Sequence, residues 1–489
     1  MKKKIFLFVF LLSFLLFSQN QTVGLFQYDS TSYDGYTLFS PDEGTYLIDN
    51  CGKLVHSWQS TYKPGLSVYL LEDGSLLRAC RIQNTVFSGG GSGGRVEKRD
   101  WNNTLLWSYD FSDNNYHQHH DIAPMPNGNF LVLCWEYKSA IDAVISGRNP
   151  SALADNELWS TYILEVESQG NNGINIVWEW HLWDHLVQDV DPALENYGAV
   201  AAHPELMDIN CGGPVNNTNG DWIHTNAIDY NAGLDQIIFS SRHMNEIYII
   251  DHSTTSEEAV GHNGGLYGRG GDFLYRWGNP QNYHRGDETS RALGAPHGVN
   301  WILEGYPGSG NILIFNNQPF FNGSQEGNSE VIEIVLPIQE DGTYAMEADS
   351  TYGPSDLLWS FGGDTTFYSG SQSGAFRTPN GNTLITVSEE KRLFEVDAAG
   401  NMVWECDLQQ DLSLPGWTAR AQRIHPGYLN FPRGDLDLNY LVDIRDILLL
   451  CDYYPDAGGS GSYDYDINDD GLIDEQDLTD LICLIMNNC

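Results

Sequence analysis

Three histidines stand at one position of a recurring strand pattern: His120 in HHDIAPMPNGN, His224 in DWIHTNAIDYN and His297 in GAPHGVNWI. Imidazole can attack, accept a proton or return one near neutral pH. Asn226 lies two residues beyond His224 and so shares a strand face with it. Arg242, in IIFSSRHMN, falls on the following strand and can reach back to the same end. Imidazoles, an amide and a guanidinium together offer a nucleophile, a proton carrier and donors for the oxygens of a charged transition state. For residues so far apart in sequence to cooperate, the elements that carry them must be arranged about one axis.

Those elements are legible as a repeat. A short strand meets a turn, a β-rich strand follows, and a V-W or L-W strand closes the unit. The clearest turns are Met125–Pro126–Asn127–Gly128–Asn129 and Thr378–Pro379–Asn380–Gly381–Asn382, each leading into an apolar run. Asn-Gly in that setting is a strong hairpin signal. Closing strands are LLWSYDF (105–111), IVWEWHL (176–182), FLYRWGN (273–279), LLWSFGG (357–363) and MVWECDL (402–408), with TYLIDNCGKLVHSW (45–58) supplying a sixth. Six such copies predict an all-β protein, a six-bladed β-propeller whose equivalent strand ends ring one mouth of a central channel. A stacked sandwich is the structural alternative. The first copy lacks an inner half, which a distant segment must supply to close the ring. The ring is expected over residues 21–428.

Composition agrees, with 50 glycines and 12% aromatic residues. The 24 Lys+Arg against 66 Asp+Glu give a net charge of −42, which argues against nucleic acid as a partner. The opening MKKKIFLFVFLLSFLLFSQNQ sets three lysines before an apolar run from Ile5 to Phe17. That reads as a signal peptide over residues 1–20 and a secreted, periplasmic or cell-surface destination; no later segment reads as a membrane span. Eight cysteines accompany it without a C-x-x-C zinc pattern, and spacing leaves their pairing open. Gly89–Gly94 fits G-x-G-x-x-G, but no helix pattern follows, so it reads as a flexible inter-strand loop. His117 and His119 crowd His120, while His181 and His185 flank HLWDHL and are placed near the entrance. His262 and the other histidines take surface or structural roles, and Trp135, Trp180, Trp183 and Tyr283 read as packing.

The end of the chain, residues 433–489, has a different pattern. Asp435, Asp437, Asn439, Asp443 and Asp446 place side-chain oxygens at positions 1, 3, 5, 9 and 12 of a loop, with Leu441 at position 7. Asp466, Asn468, Asp470, Asp474 and Asp477, with Leu472, repeat it, and Gly471 occupies the sharp-turn position. Calcium needs six to eight oxygens on such a loop. After each loop apolar residues recur at helical spacing: Ile444, Ile447, Leu448 and Cys451, then Leu478, Leu481, Ile482 and Ile485. The tail resembles a dockerin, a small α-helical domain with two EF-hand-type loops. The resemblance implies structural Ca2+ and a cohesin-type partner; positions 10 and 11 are Ile444–Arg445 and Glu475–Gln476.

Over roughly residues 40–430 the chain resembles the bacterial aryl-sulfate sulfotransferases that do not use PAPS. The resemblance is carried by H-x-N at His224 and Asn226, by S-S-R ending at Arg242, by H-D-x-x-x-x-P-N-G-N at His120, and by RWGNPQNYHRG (276–286), a His-led strand and GNILIFNN (310–317). Many relatives carry Gln-His-Asp where this chain has Pro296–His297–Gly298. It implies an aryl sulfate donor, a phenol acceptor and ping-pong transfer through a sulfohistidine at His297. His224, Asn226 and Arg242 would then hold the sulfuryl oxygens, and His120 or a partner would serve the departing phenolate. The absence of a P-loop fits a PAPS-independent enzyme. The alternative reading is a non-catalytic propeller that binds a glycan or sulfated ligand, held on an extracellular assembly by its tail.

Overall fold

The computed structural model describes residues 25–486, apart from 154–155, 213–218, 322–323, 326, 348–349, 364–365, 412–416, 426, 428–433, 437–441, 454–464, 466 and 469–472. The expected signal peptide therefore lies outside the described residues. Six four-stranded antiparallel sheets form the blades of a β-propeller. Blade 1 holds Tyr36–Phe39, Gly44–Ile48 and Leu54–Gln59, and its innermost strand is Ala421–Ile424. Blade 2 is Pro64–Leu70, Leu76–Arg81, Gly94–Arg99 and Leu105–Asp110; blade 3 is Tyr116–Pro124, Phe130–Ser139, Glu157–Gln169 and Gly173–His181. Blade 4 is Thr225–Asn231, Gln236–Ser241, Glu246–Asp251 and Phe273–Trp277; blade 5 is His297–Trp301, Ile312–Asn316, Glu330–Ile334 and Trp359–Gly362. Blade 6 is Gly374–Arg377, Thr383–Val387, Arg392–Val396 and Met402–Asp407, and Leu25–Tyr28 adds a fifth strand at its outer edge. The missing inner half of the first copy is thus the strand at 421–424, and its pairing closes the ring.

Burial on both faces of each sheet forces the blades to stack. Ile237 and Phe239 pack into the core shared with blade 3, while Ile238 between them packs with blade 5. On the next strand Tyr248 and Ile250 go one way, Ile247 and Ile249 the other. Such alternation is the two-residue period of a strand with apolar neighbours on both sides. An apolar cluster lies between every consecutive pair of blades, including blades 6 and 1. Each fully buried Ile or Phe contributes roughly 1.5–3 kcal/mol to this packing.

Polar clasps cross the same interfaces. In the Met125–Asn129 turn, Gly128 takes φ +88°, and Asn127 and Asn129 donate to Glu165 Oε1 at 2.9 and 2.6 Å. The other Glu165 oxygen meets His252 Nε2 of blade 4 at 3.1 Å. In blade 5, Asn311 donates to Glu333 Oε1 at 2.6 Å, and Arg377 of blade 6 reaches Oε2 at 2.5 Å. In blade 6, Asn382 donates to Glu395 Oε1 at 2.6 Å, and Arg423 of the closing strand reaches Oε2 at 2.9 Å. Nearer the axis, Asp121 accepts the backbone N–H of Ile228 at 2.9 Å, and Asp229 accepts that of Trp301 at 2.8 Å. Asn300 then donates to the Ala375 carbonyl at 2.8 Å.

After the ring, helices Ile444–Tyr453 and Glu475–Met486 bury Leu450, Ile467, Ile473 and Leu481 together. Two loops precede them and close identically. Asp446 accepts the N–H groups of Leu436 and Asp443, both at 2.7 Å, and Asp477 accepts those of Ile467 and Asp474, both at 2.7 Å. Cys483 is disulfide-bonded, and Cys51, Cys80, Cys134, Cys211, Cys406 and Cys451 are free thiols. No described helix is long and apolar enough to cross a membrane.

Arg423→Met leaves Glu395 buried without its cation and is expected to destabilise the ring by about 3–5 kcal/mol. Urea unfolding followed by tryptophan fluorescence measures this. Adding Glu395→Gln is expected to restore most of the loss; an equal loss in the double variant would mean that the pair does not clasp the ring.

Candidate active site

The inner strands of blades 2 to 5 each lose register at their axial ends. The irregularities fall between Pro64 and Val68, opposite His119–Asp121, between Thr225 and Ala227, and between His297 and Asn300. A bulge re-aims side chains, and here it turns them toward the channel. His224 and His297 lie at strand starts as expected. His120 lies within its strand, because pairing resumes on the near side of the bulge at Gln118. His120 and His224 both adopt left-handed backbone, φ 52° and 50°, a conformation that non-glycine residues hold only when their surroundings impose it.

The three imidazoles do converge. The His120 ring centroid is 4.7 Å from that of His224 and 6.4 Å from that of His297. His120, Asn226 and His297 are buried and line a small cavity with Gly298, Gln372 and Arg420. The orientation of His297 is set through Asn317. The Asn317 amide donates to the carbonyls of Ser369 at 2.7 Å and Gln372 at 3.0 Å, which turns its oxygen toward His297. His297 Nδ1 therefore faces two acceptors, Asn317 Oδ1 at 2.7 Å and the Ala295 carbonyl at 3.1 Å. It must carry the hydrogen, leaving the lone pair on Nε2. Burial, and after it the neighbouring Arg242 and His224, push His297 well below the usual histidine range. Burial does the same to His120 and His224, reinforced by their cationic neighbours, so all three rings are neutral at pH 7.

His224 Nδ1 meets Asp221 Oδ2 at 2.5 Å, and the other Asp221 oxygen accepts Trp135 Nε1–H at 3.0 Å. Burial raises the Asp221 carboxyl to about 6, against the opposing pull of His243 and the Trp135 hydrogen bond. Arg242 donates to the Gly370 carbonyl at 2.9 Å and makes no ion pair among the described residues. Asn226 holds the chain around His297: its amide donates to the Pro296 carbonyl at 2.7 Å, and its oxygen accepts from Ser240 at 2.6 Å. Arg420 on the closing segment pairs with buried Asp121. The site thus has two guanidinium groups and neutral imidazoles, an arrangement suited to an anionic group with oxygens on its periphery.

Several contributors escape the sequence reading. The Gly89–Gly94 run is part of the site wall, where the Gly91 carbonyl accepts the His120 N–H at 2.8 Å. A Cβ on Gly91 would overlap the His120 ring, and one on Gly89 would sit 2.8 Å from Trp135. Asp221 and Asn317 fall within DWIHTNAIDYN and GNILIFNN without a role of their own, and Arg420 falls in no motif. His119 stacks on Trp135 at 4.1 Å and meets His120, Nδ1 to Nδ1, at 2.8 Å, while His117 binds Ser92 and Ser112. His181 stacks on Tyr162 at the outer edge of blade 3, and His185 is fully buried there, so neither lines the entrance. Trp180 and Tyr283 are core packing. In the tail, Asp435, Asp443, Asp446, Asn468, Asp474 and Asp477 are described; Asp437, Asn439, Leu441, Asp466, Asp470 and Leu472 lie outside the described residues.

No curated protein matches the chain. Among solved structures it is similar to a protein of unknown function from Bacteroides caccae, at 11% identity and a TM-score of 0.41, over 80% of this chain and 98% of that one. It is also similar to the β-propeller domain of Myceliophteria thermophila Cps50 (Swd1), at 12% identity and a TM-score of 0.38, over 79% of this chain and 89% of that one. At these scores neither likeness bears on function. The family model of the arylsulfotransferases (ASST) matches residues 42–389, from blade 1 into blade 6 and across every imidazole of the site. The chain belongs to the arylsulfotransferase family.

Proposed function

We propose that this chain moves a sulfuryl group from an aryl sulfate to a phenol, without PAPS, in two steps through His297. The observation that carries the reading is the fixed tautomer of His297, its Nε2 lone pair unprotonated among His120, His224 and Arg242. In the first step Nε2 attacks sulfur, the sulfur–oxygen bond to the aryl group breaks, and the phenolate leaves. The transition state is loose and in line, with charge on the peripheral oxygens, which Arg242 and the remaining Asn226 N–H are placed to hold. In the second step a phenol attacks sulfo-His297 and restores the imidazole. The proton is carried by the imidazoles beside it. His224 directs Nδ1 to Asp221, which leaves the lone pair of its Nε2 to take the acceptor's proton in the second step, the phenolate of the first step having left without one.

The three lysines and the apolar run from Ile5 to Phe17 support a signal peptide and export to the cell surface or periplasm. The tail supports structural Ca2+ and docking to a cohesin-type protein. The described side-chain oxygens fit the ion: the carboxylates of Asp446 and Asp477 stand at equivalent buried loop ends, in loops that also carry Asp435, Asp443 and Asp474 and the amide of Asn468. Bound calcium would neutralise these charges and fix the two helices on their shared core. The non-catalytic reading gains nothing from the site, whose polar groups are imidazoles and guanidinium rather than an aromatic platform.

Release of nitrophenol from nitrophenyl sulfate is expected to depend on added phenol and to vanish in His297→Asn. Release by the variant at the wild-type rate would end the sulfohistidine reading. The acidic limb of kcat/KM is expected near pH 6, because the Asp221–His224 pair takes up a proton as the pH falls through about 6 and the base is then lost. His297, held well below this range, stays unprotonated there. Asp221→Asn is expected to move that limb; an unmoved limb would place the titrating base elsewhere. Chelation of calcium is expected to make the tail protease-sensitive while nitrophenol release is unchanged, and Asp477→Ala to do so in calcium-replete buffer.

A further inference from the structure

At the outer edges of blades 3 and 4, remote from the channel imidazoles, a second group of metal-binding side chains converges. His185 follows the last strand of blade 3. His262 and Asp272 lie on the long insertion, residues 252–272, between the last two strands of blade 4. His185 Nδ1 and His262 Nδ1 each stand 2.8 Å from the same oxygen, Asp272 Oδ1. Their donor atoms lie within 4.8 Å of one another.

The second nitrogen of His185 decides what the first one offers. Nε2 lies 2.8 Å from the Ala259 carbonyl, an acceptor only, so it carries the ring hydrogen. In the neutral ring Nδ1 is then a lone pair aimed at a carboxylate oxygen, an arrangement that repels unless a cation lies between them. A ligating histidine whose other N–H donates to a backbone carbonyl is the usual setting of a bound metal. The pocket around it is built. His185 is fully buried and stacks on Trp180 at 5.6 Å, and Trp180 Nε1 donates to the Gly271 carbonyl at 2.8 Å. A Cβ on Gly271 would collide with the Ala259 carbonyl and the His185 ring, so only glycine allows this approach. His262, with its side chain 56% exposed, closes the group from the solvent side.

We infer that His185, His262 and Asp272 bind a zinc-class transition-metal dication, with a water completing four ligands. Two imidazoles and a carboxylate suit such an ion rather than calcium or magnesium. Bonds of about 2.0–2.1 Å would require the donors to part by about half an ångström, a small movement for the exposed His262. The ion would staple the blade 4 insertion to the end of blade 3. Without it, the same contacts form a protonated imidazole held between Asp272 and Ala259, and the experiment separates the two.

The full-length protein, stripped with chelator and saturated with calcium to occupy the tail, is titrated with ZnCl2 and, for its absorption bands, CoCl2. One tight equivalent is expected, with a rise in thermal midpoint on adding zinc. His262→Ala is expected to match the stripped wild type in midpoint and to lose both effects. Its zinc affinity should fall by more than the about 10–100-fold typical of losing a ligand's hydrogen-bond partner. His243→Ala, which alters the separate Asp221–His224–His243 group, is expected to keep the tight equivalent. No bound zinc in the wild type, or the same tight equivalent in His262→Ala, overturns the assignment.

Discussion

Glu395 has no contact with solvent, and both of its oxygens are taken: one by Asn382 of its own turn, the other by Arg423 of the next blade. Glu333 repeats the arrangement with Asn311 and Arg377, and Glu165 with Asn127, Asn129 and His252. A buried carboxylate is tolerated only while every partner is in place. The clasp therefore couples the turn of one blade to the register of the next. Apolar packing favours stacked sheets but is indifferent to small rotations between them; directional bonds to a buried charge are not. Because the site is assembled from residues on blades 3, 4 and 5 with Arg420 from the closing segment, its geometry is only as fixed as these angles.

On that frame, the bulges and the burial do the chemical tuning. Left-handed backbone at His120 and His224 turns their rings to the channel, and the cost is carried by the ladder around them. Burial then keeps the imidazoles uncharged, while Arg420 stays cationic because Asp121 outweighs the burial that opposes its charge. An anionic group entering such a site meets fixed guanidinium charge and an unprotonated imidazole together. In water the two would conflict less, but each would also be worth less.

The parts legible in the sequence were those specified locally. The Asn-Gly turns, the Trp-bearing closing strands and the shared position of His120, His224 and His297 are all short-range patterns, and they gave the blade count and the convergence. What stayed hidden depends on contacts between distant segments. Ala421–Ile424 is a short strand whose meaning comes only from pairing with Tyr36–Phe39. Asn317 was in view as the end of GNILIFNN, yet its role rests on two carbonyls more than fifty residues away, at Ser369 and Gln372. The Gly89–Gly94 run reads in the sequence as a flexible inter-strand loop, for lack of a following helix pattern. Its glycines serve a neighbour instead, because His120 occupies the space where a side chain on Gly91 would be.

The same reasoning accounts for the sequence around His297, which stands between Pro296 and Gly298. Gly298 has φ +61°, and a Cβ there would lie 2.8 Å from the Gly374 Cα on the inner strand of blade 6. Two glycines let the strands of blades 5 and 6 approach directly beside His297, and no side chain fits between them. Pro296 contributes a carbonyl and needs no donor of its own, and that carbonyl is the acceptor for Asn226. Ala295 is fixed on the other side, its N–H bound to Asn245 at 2.8 Å and its carbonyl facing His297 Nδ1. The backbone leading into His297 is thus held by Asn226 and Asn245. The orientation of the His297 ring is then set by Asn317, at the end of the neighbouring strand.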